Sequence, residues 1–460
     1  MSNAVETLEL LRREIGGDVV GPDDPGYDEA RSVFNAMIDR RPALVARCRS
    51  VGDVTAALAA GRRAGLAVAV RGGGHNGPGF GTVDSGVVID LSPMHAVEVD
   101  PQRRTVRVEG GATWGVVDAA THEHGLATPS GVISTTGVGG LTLGGGHGYL
   151  SRRYGLTIDN LLEAEVVLAD GRTVRASATE HPDLFWALRG GGGNFGIVTA
   201  FTFRLHPVRT VVCGPTAWPV SATADVLSWY RDFMAAQDEN LYGFFAIMTV
   251  PPFEQFPAAF HHHKACAVVW CSLGYPDDAR EALAPVRDLQ PAFDGIHEAP
   301  YPALQSAFDG LYPPGLQWYW RGDFFETVPD AAVDAHARFA EELPTMHSAM
   351  HLYPVDGAVN QVGPEETAWS YRDVTFSQVI VGVDPDPAMA PALRRWTVDY
   401  WRATHPYSAG GAYVNFMMDD EGQERVRATF GSNYDRLAEV KGEYDPENVF
   451  RINQNIRPST

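Results

Sequence analysis

Residues 66–79 read LAVAVRGGGHNGPG, an apolar run that passes directly into a glycine-rich loop. The residues before it, Val54–Arg63, have the spacing of an amphipathic helix that ends near Gly65, and Leu66–Val70 is typical of a buried strand. Glycine permits positive φ and carries no Cβ, so successive backbone N–H groups can converge on a pyrophosphate. The stretch therefore predicts a helix, a strand and a loop that can bind a dinucleotide.

Two further glycine clusters follow, at residues 137–148 and 190–196. The second leads into a predicted strand, Ile197–Phe203. One glycine cluster alone is weak evidence, because tight turns use the same residue. Three clusters in one region indicate close backbone approach to a bound group. The other elements predicted in this α+β or mixed α/β region are strands at Val87–Leu91 and Thr105–Val108 and a helix at Trp114–His124 that Thr113 can cap.

A nicotinamide-binding Rossmann unit is the obvious alternative for the first loop. That unit needs a strand, the motif G-x-G-x-x-G and a helix that begins within the loop. Here Pro78 and Gly79 follow the glycines and would disrupt a helix at that point. The nicotinamide cofactor is therefore the less favoured alternative.

His75 lies within the first glycine loop. A lone loop histidine most often has no chemical role. A neutral imidazole nitrogen, however, could add to the electrophilic 8α position of a flavin if glycines held the two side by side. The setting of His75 thus raises the hypothesis of a covalent flavin.

The composition is that of an ordinary globular protein. The chain has 460 residues, 45% hydrophobic and 20% charged, which favours two or three domains. Its 36 Lys and Arg against 57 Asp and Glu give a net charge of −21, which opposes binding to nucleic acid or to an anionic membrane. We expect neither partner.

Several local patterns bear on location and on metal binding. Met1–Gly17 resembles an amphipathic helix rather than a signal sequence, and no long apolar span follows, so a cytoplasmic protein is expected. The run His261–His263 is expected to be a surface loop rather than a metal site, because adjacent side chains on an extended chain point to opposite faces. The four cysteines lack metal-ligand spacing and are expected to be free, buried thiols: Cys48, Cys213, Cys266 and Cys271.

The sequence changes character after Pro207, where glycines become rarer and aromatic residues more frequent. Strands are predicted at Ala265–Trp270 and Gln378–Val383, and a helix at Ala331–Glu342. We interpret this part as a second domain. Residues Glu421–Lys441, near the end of the chain, are predicted to be helical.

Together these motifs resemble the berberine bridge enzyme-like branch of the vanillyl-alcohol oxidase (PCMH-type) flavoproteins, and more narrowly its bacterial members related to 6-hydroxynicotine oxidase. The match extends over nearly the whole chain. Its strongest parts are RGGGHN at 71–76, GVGGLTLGGGHG at 137–148, YGL at 154–156 with Asp159-Asn160, GGGNFGIVT at 191–199 and YDPENVF at 444–450.

The resemblance implies an α+β fold with a two-lobed, PCMH-type FAD-binding domain and a substrate domain whose antiparallel sheet is covered by helices. The FAD-binding domain is expected at residues 1–207, with its PCMH-type part at about 39–207. The substrate domain is expected at 208–411, and residues 412–460 are expected to return to the FAD-binding domain.

The resemblance also implies FAD attached through the 8α carbon to His75. Many relatives make a second bond from a cysteine where this chain has Ile133, so a single covalent bond is expected. The residues expected to hold the cofactor are Arg71, Gly72, Gly73, Gly74, His75, Asn76, Gly131, Thr136, Gly137, Gly139, Gly140, Leu143, Gly145, Gly146, Gly196, Ile197, Val198, Asn453 and Asn455.

Tyr413 matches the tyrosine that resembles the family's catalytic base, and His147 lies where relatives often have a substrate-facing tyrosine. A phenol must be acidified by its surroundings to act near neutral pH, and the sequence does not identify the acidifying partner. Thr136 matches the position beside the reactive flavin carbon where relatives tune oxygen access, and the resemblance implies that its small side chain leaves room for oxygen, which favours an oxidase. His351 and residues 371–373 are explained equally well by strand polarity and are not assigned to the site.

The expected activity is oxidation of an alcohol, amine or sugar carbon of a small molecule by hydride transfer to flavin N5, with O2 reoxidising the flavin to give H2O2. The bacterial relatives suggest a role in secondary metabolism. A dehydrogenase, an oxygenating or ring-closing enzyme, and a non-catalytic flavin- or ligand-binding protein are the alternatives. Either a monomer or a homodimer is expected.

Overall fold

Three β-sheets and a two-stranded ribbon organise the computed structural model, which describes residues 2–254 and 256–459. The first sheet contains the strand that leads into the first glycine loop. Its strands are Asp18–Val20 (β1), Leu44–Arg47 (β2), Val68–Arg71 (β3) and Val87–Asp90 (β4), and the helices before and between them are Ser2–Glu14 (α1), Tyr27–Arg31 (α2) and Val51–Arg63 (α3).

Strands β2 and β3 both run parallel to β4, in the order β1-β2-β4-β3. Helix α3 connects β2 to β3, and its apolar residues pack with those of the strands in one core. The helix and strand predicted from residues 54–70 are thus confirmed, with small shifts at their ends. No helix begins among residues 72–86. A Rossmann unit, and with it the nicotinamide alternative, is therefore excluded.

The second sheet is antiparallel, in the order β5-β6-β10-β8-β9. The strands of this region are Val97–Asp100 (β5), Thr105–Glu109 (β6), Leu126–Ala127 (β7), Leu161–Val167 (β8), Thr173–Ser177 (β9), Ile197–Arg204 (β10) and His206–Pro207 (β11), of which β7 and β11 form the ribbon. The helices are Trp114–His122 (α4), Val138–Gly144 (α5), Ser151–Tyr154 (α6) and Pro182–Leu188 (α7).

The predicted strands and helix of this region are confirmed within two residues. Helix α4 begins at Trp114, as predicted, but Thr113 makes no side-chain capping hydrogen bond. Its backbone instead forms a bridge with Gly137, the first residue of the second glycine cluster. The start of α4 is therefore joined to that cluster.

The third sheet is the largest and is antiparallel throughout. Its strands are Thr210–Pro219 (β12), Leu241–Thr249 (β13), Lys264–Ser272 (β14), Phe293–Asp294 (β15), His297–Pro300 (β16), Gln317–Phe325 (β17), Ala349–Pro354 (β18) and Phe376–Asp384 (β19). The helices of this part are Thr223–Ala235 (α8), Pro276–Ala282 (α9), Ala284–Asp288 (α10), Tyr301–Gln305 (α11), Asp330–Glu341 (α12) and Ala390–Thr404 (α13).

The two faces of the third sheet have different neighbours, because successive side chains of a strand point to opposite sides. Phe245 and Ile247 of β13 belong to a core with residues of α8, α12 and α13. Phe244 and Ala246 of the same strand belong to a different cluster on the opposite face. The predicted α+β fold, with an antiparallel sheet covered by helices, is confirmed.

The C-terminal residues return to the second sheet. Helices Gly422–Phe430 (α14) and Tyr434–Tyr444 (α15) pack with its strands in one core. The sequence predicts helix from Glu421 to Lys441, whereas a break at Gly431 separates two helices. Gly431 has a φ of 54°, a backbone conformation that ends α14.

The ammonium of Lys441 anchors this return. Lys441 and Asp445 are both fully buried, and Lys441 Nζ donates to Asp445 Oδ2 at 2.6 Å. The same ammonium donates to the backbone oxygens of Asn194, in the third glycine cluster, and Phe450. One buried cation therefore connects α15, a glycine loop and the C-terminal segment.

The four cysteines are free and buried, as predicted. Within residues 2–254 and 256–459, no helix is both long and apolar enough to cross a membrane.

Lys441→Met is expected to lower the free energy of unfolding by about 3–5 kcal/mol, because it leaves the Asp445 carboxylate buried without a counter-charge. Urea unfolding and the Tm measure the effect. Arg402→Met is the control, since the Arg402–Asp399 pair is exposed and should contribute about 0.5 kcal/mol or less. An equal loss of unfolding free energy in the two variants would contradict the anchoring role of Lys441.

Candidate active site

A large cavity lies between the glycine loops and the third sheet. One side is lined mainly by backbone of the three glycine clusters and by the C-terminal segment 450–454. The other side is lined by side chains of β13, β14, β17, β18 and β19. His75 lies on the glycine side, and Tyr413 and His147 also line the cavity.

The first two glycine clusters touch backbone to backbone. A Cβ added at Gly73 would lie 2.5 Å from the backbone nitrogen of Gly137, and a Cβ added at Gly137 would lie equally close to the backbone of Gly73. Real Cβ atoms do not approach so closely, so both positions require glycine. The contact brings the loop after β3 against the start of α5.

Most residues predicted to hold the cofactor line this cavity: Arg71, Gly72, Gly73, Gly74, His75, Asn76, Gly131, Thr136, Gly137, Gly139, Gly140, Leu143, Gly196, Ile197, Val198 and Asn453. Three predicted residues, Gly145, Gly146 and Asn455, are not in its lining. Gly145 packs against Trp369, and the Gly146 N–H donates to the phenol oxygen of Tyr413.

The residues present fit a dinucleotide. Glycine-rich loops form one side of the cavity. Asn453, whose amide donates to the Gly193 carbonyl, has a buried Oδ1 without a partner in the described chain. Arg71 was predicted to hold the cofactor, but its guanidinium binds other parts of the protein. Its guanidinium pairs with Asp90 at 2.8 Å and donates to the Ser32 carbonyl, which fixes the base of the loop.

His75 is held by two side chains. Its ring stacks on Phe34, with centroids 3.8 Å apart and planes at 20°. Its Nε2 lies 3.0 Å from Thr135 Oγ1. Burial lowers the pKa of His75 from 6.5 to about 4, so the imidazole is neutral at physiological pH.

Tyr413 follows helix α13 in the chain and reaches back to the second glycine cluster. Its phenol oxygen accepts hydrogen bonds from Asn415 Nδ2 at 2.7 Å and from the Gly146 N–H at 3.1 Å. Burial raises the pKa of Tyr413, and these two donors oppose that rise because they stabilise the phenolate. The sequence did not identify what acidifies this phenol. These two donors act in that direction, and burial acts against them.

His147 is buried, and neither ring nitrogen has a hydrogen-bond partner in the described chain. Its ring centroid lies 4.7 Å from that of Tyr413 and 5.2 Å from that of Tyr353. Burial lowers the pKa of His147 to about 3, so the ring is neutral. It offers hydrogen-bonding atoms and no charge.

Several contacts were not predicted from the sequence. Phe34 and Thr135 are far from His75 in sequence and carry no motif that would identify them. His351 lines the cavity, although strand polarity explained this residue equally well and it was not assigned to the site. Arg372, by contrast, makes a bidentate pair with Asp159 outside the cavity lining.

The glycine cradle, the neutral histidine and the buried phenol define the site of an FAD-linked oxidoreductase. A family model described as an FAD binding domain matches residues 42–177, and another described as berberine and berberine like matches residues 412–457.

Similar proteins extend over nearly the whole chain. (R)-6-Hydroxynicotine oxidase of Paenarthrobacter nicotinovorans is 30% identical over 96% of this chain and 97% of that protein. Glucooligosaccharide oxidase of Sarocladium strictum is 28% identical, with 95% and 91% covered. The crystal structure of 6-hydroxy-D-nicotine oxidase from Arthrobacter nicotinovorans matches with a TM-score of 0.86 at 28% identity, with 97% and 98% covered. The chain belongs to the berberine bridge enzyme-like family of FAD-linked oxidoreductases.

Gly137→Ala is expected to force the first two glycine loops apart. Overpacking of this kind costs about 1–3 kcal/mol, which corresponds to roughly a fivefold to hundredfold loss in FAD affinity. Flavin absorbance per purified chain measures the loss. Gly310→Ala is the matched control, since a Cβ there meets no atom within 4 Å. Full flavin content in Gly137→Ala would contradict the assigned role of the contact.

Proposed function

We propose that the protein is an FAD-dependent oxidase whose cofactor is bound covalently through His75 alone. It takes a small molecule with an alcohol, amine or sugar carbon, in a tailoring step of secondary metabolism, and passes the electrons to O2. The bound FAD supplies a hydride acceptor. The observation that carries the proposal is the presence of His75, Tyr413 and the glycine cradle around one cavity.

His75 has the protonation state that covalent attachment needs. A neutral imidazole whose Nε2–H donates to Thr135 Oγ1 has Nδ1 free as the nucleophile. With FAD bound, Nδ1 would be the atom that joins the 8α carbon. The 8α carbon and the imidazole would each give up one proton, and O2 would take the two electrons and both protons as H2O2.

The surroundings favour one covalent bond rather than two. Ile133, which stands where many relatives have a cysteine, lines the cavity, and none of the four cysteines does. A second, thioether bond therefore has no cysteine thiol available among the described residues that line the cavity.

Tyr413 is the proposed base. The phenolate removes the hydroxyl or amine proton of the substrate as a hydride leaves the adjacent carbon, so proton and electron pair both have acceptors. Asn415 and the Gly146 N–H hold the phenol oxygen and favour its ionised form. His147 lies beside Tyr413 as a neutral hydrogen-bonding wall.

Oxidase chemistry is proposed over dehydrogenase, oxygenase or simple binding because Thr136 is small and lines the cavity, leaving room for O2. The relatives are named for a hydroxynicotine and for an oligosaccharide. Their names leave alcohol, amine and sugar carbons as substrate classes.

Acid-denatured protein is expected to remain yellow, and His75→Ala is expected to lose the covalent colour. Because the pKa of His75 is lowered to about 4, its neutral form persists well below the usual pKa. Attachment of FAD to apoprotein should therefore be as complete at about pH 5.5 as near pH 7.5, although an ordinary histidine would be mostly protonated at the lower pH.

Thr135→Val and Thr135→Ser are the matched variants for this experiment. The valine removes the hydrogen-bond partner of His75 Nε2 and should slow attachment by roughly tenfold, the equivalent of one hydrogen bond. The serine keeps a hydroxyl and should restore the rate. A colourless wild-type precipitate would refute covalent attachment.

Tyr413→Phe is expected to slow the reduction of the cofactor about 10²–10⁴-fold, the usual contribution of a general base. The substrate used is any compound that reduces the cofactor of the wild-type protein. Stopped-flow absorbance measures the rate. Because burial raises the pKa of Tyr413, the phenolate fraction grows with pH, so the wild-type rate should rise toward alkaline pH. The phenylalanine variant should lack that slope. An unchanged rate would exclude Tyr413 as the base.

A further inference from the structure

The cavity-facing side of the third sheet determines what the proposed oxidase can bind. Alternate residues of β13 line the cavity, namely Phe244, Ala246 and Met248. Val379 and Val381 of β19 do the same on a neighbouring part of the sheet. This wall is therefore largely apolar.

Aromatic rings complete the wall. The Phe244 and Tyr353 ring centroids are 5.0 Å apart, and those of Tyr353 and Phe416 are 6.0 Å apart with nearly parallel planes. Trp318 and Trp320 pack edge to face at 6.1 Å. Such an arrangement favours a flat ring, because aromatic pairs gain from offset-stacked and edge-to-face contacts.

The cavity offers almost no charge to a ligand. Among the described residues that line it, none is Asp, Glu or Lys, and the one arginine is Arg71, which is paired with Asp90. A charged substrate would lose its hydration here without gaining a counter-charge. The cavity therefore favours an uncharged ligand.

One polar pair interrupts the apolar wall. His351 lies between Ala246 of β13 and Val379 of β19, and its Nδ1 is 2.7 Å from the Tyr353 hydroxyl. The other ring nitrogen of His351 has no hydrogen-bond partner among the described residues. Burial lowers the pKa of His351 to about 4, so the pair is neutral and can give and accept a hydrogen bond.

The polar pair is connected to the proposed base through ring contacts. His147 lies beside Tyr413 on one side and Tyr353 on the other. One ligand ring can therefore face the base with its oxidised substituent and the polar pair with another group.

We infer that the substrate is an uncharged hydroxylated aromatic compound, whose ring packs among Phe244, Tyr353 and Phe416 and whose hydroxyl hydrogen-bonds to the His351–Tyr353 pair. This assignment rests on the proposed function, and it selects one class from those left open there. An oligosaccharide is excluded, because its many hydroxyls would be buried against apolar side chains with few partners.

The test is calorimetric titration of the holoprotein with acetophenone, with its three ring-hydroxylated derivatives (the hydroxyacetophenones) and with cellobiose. These aromatic ketones resemble the products of 1-arylethanol oxidation and are not oxidised further. At least one hydroxyacetophenone should bind roughly tenfold or more tightly than acetophenone, and cellobiose should show no binding. Equal affinities for acetophenone and all three hydroxyacetophenones would overturn the inference. Binding of cellobiose that is tighter than binding of the ketones would also overturn it.

Tyr353→Phe removes the hydroxyl of the pair and keeps the ring. It should weaken binding of the best hydroxyacetophenone by roughly tenfold and leave the affinity for acetophenone unchanged. Tyr400→Phe is the matched control: Tyr400 is buried on the opposite side of the sheet, with its hydroxyl 2.7 Å from His336 Nδ1. Equal losses in the two variants would show a general effect of destabilisation and would overturn the assignment.

Anaerobic mixing with the corresponding 1-(hydroxyphenyl)ethanols separates the two proposals. Hydroxyacetophenone binding without cofactor reduction by any of these alcohols supports the substrate class and counts against the oxidase. Cofactor reduction by cellobiose that O2 then reverses, with no preference among the ketones, supports the oxidase and overturns the substrate class.

Discussion

The contact between Gly73 and Gly137 is the constraint on which the site depends. No side chain fits between these two backbones, so the loop after β3 and the start of α5 lie against each other. The same approach brings His75, from the first loop, to Thr135, which lies just before the second cluster. The wall lined by backbone and the position of His75 therefore have one origin, which is the absence of two Cβ atoms.

The two sides of the cavity are built differently, one mainly from backbone and the other from side chains. Its glycine side can approach a cofactor closely because little protrudes from the backbone, and Lys441 ties the third glycine cluster to the C-terminal segment. The opposite wall comes from alternate residues of the antiparallel third sheet. Substitution of those side chains can change what is bound there without disturbing the backbone cradle. The proposed oxidase and its inferred aromatic substrate follow from this separation.

Sequence patterns predicted the elements whose causes are local. The helix, strand and loop at residues 54–76 were predictable from periodicity and glycine spacing, and the α+β fold from the family resemblance. Phe34, Thr135 and the His351–Tyr353 pair were not assigned, because their roles come from contacts between distant segments. Gly145 and Gly146 stand in the glycine motif, yet their surroundings are Trp369 and Tyr413 rather than the cavity. Motifs thus located the site, and tertiary packing determined which side chains complete it.

The most direct test of the proposal is mass spectrometry of the tryptic peptide spanning residues 72–103, which contains both His75 and His95. We expect this peptide to carry the mass of one FAD, with fragmentation placing it on His75. His95 is an internal control, because it is exposed and its Nδ1 lies 3.0 Å from the Ser92 carbonyl oxygen. An unmodified peptide from flavin-loaded protein, or FAD on His95, would contradict the proposed attachment.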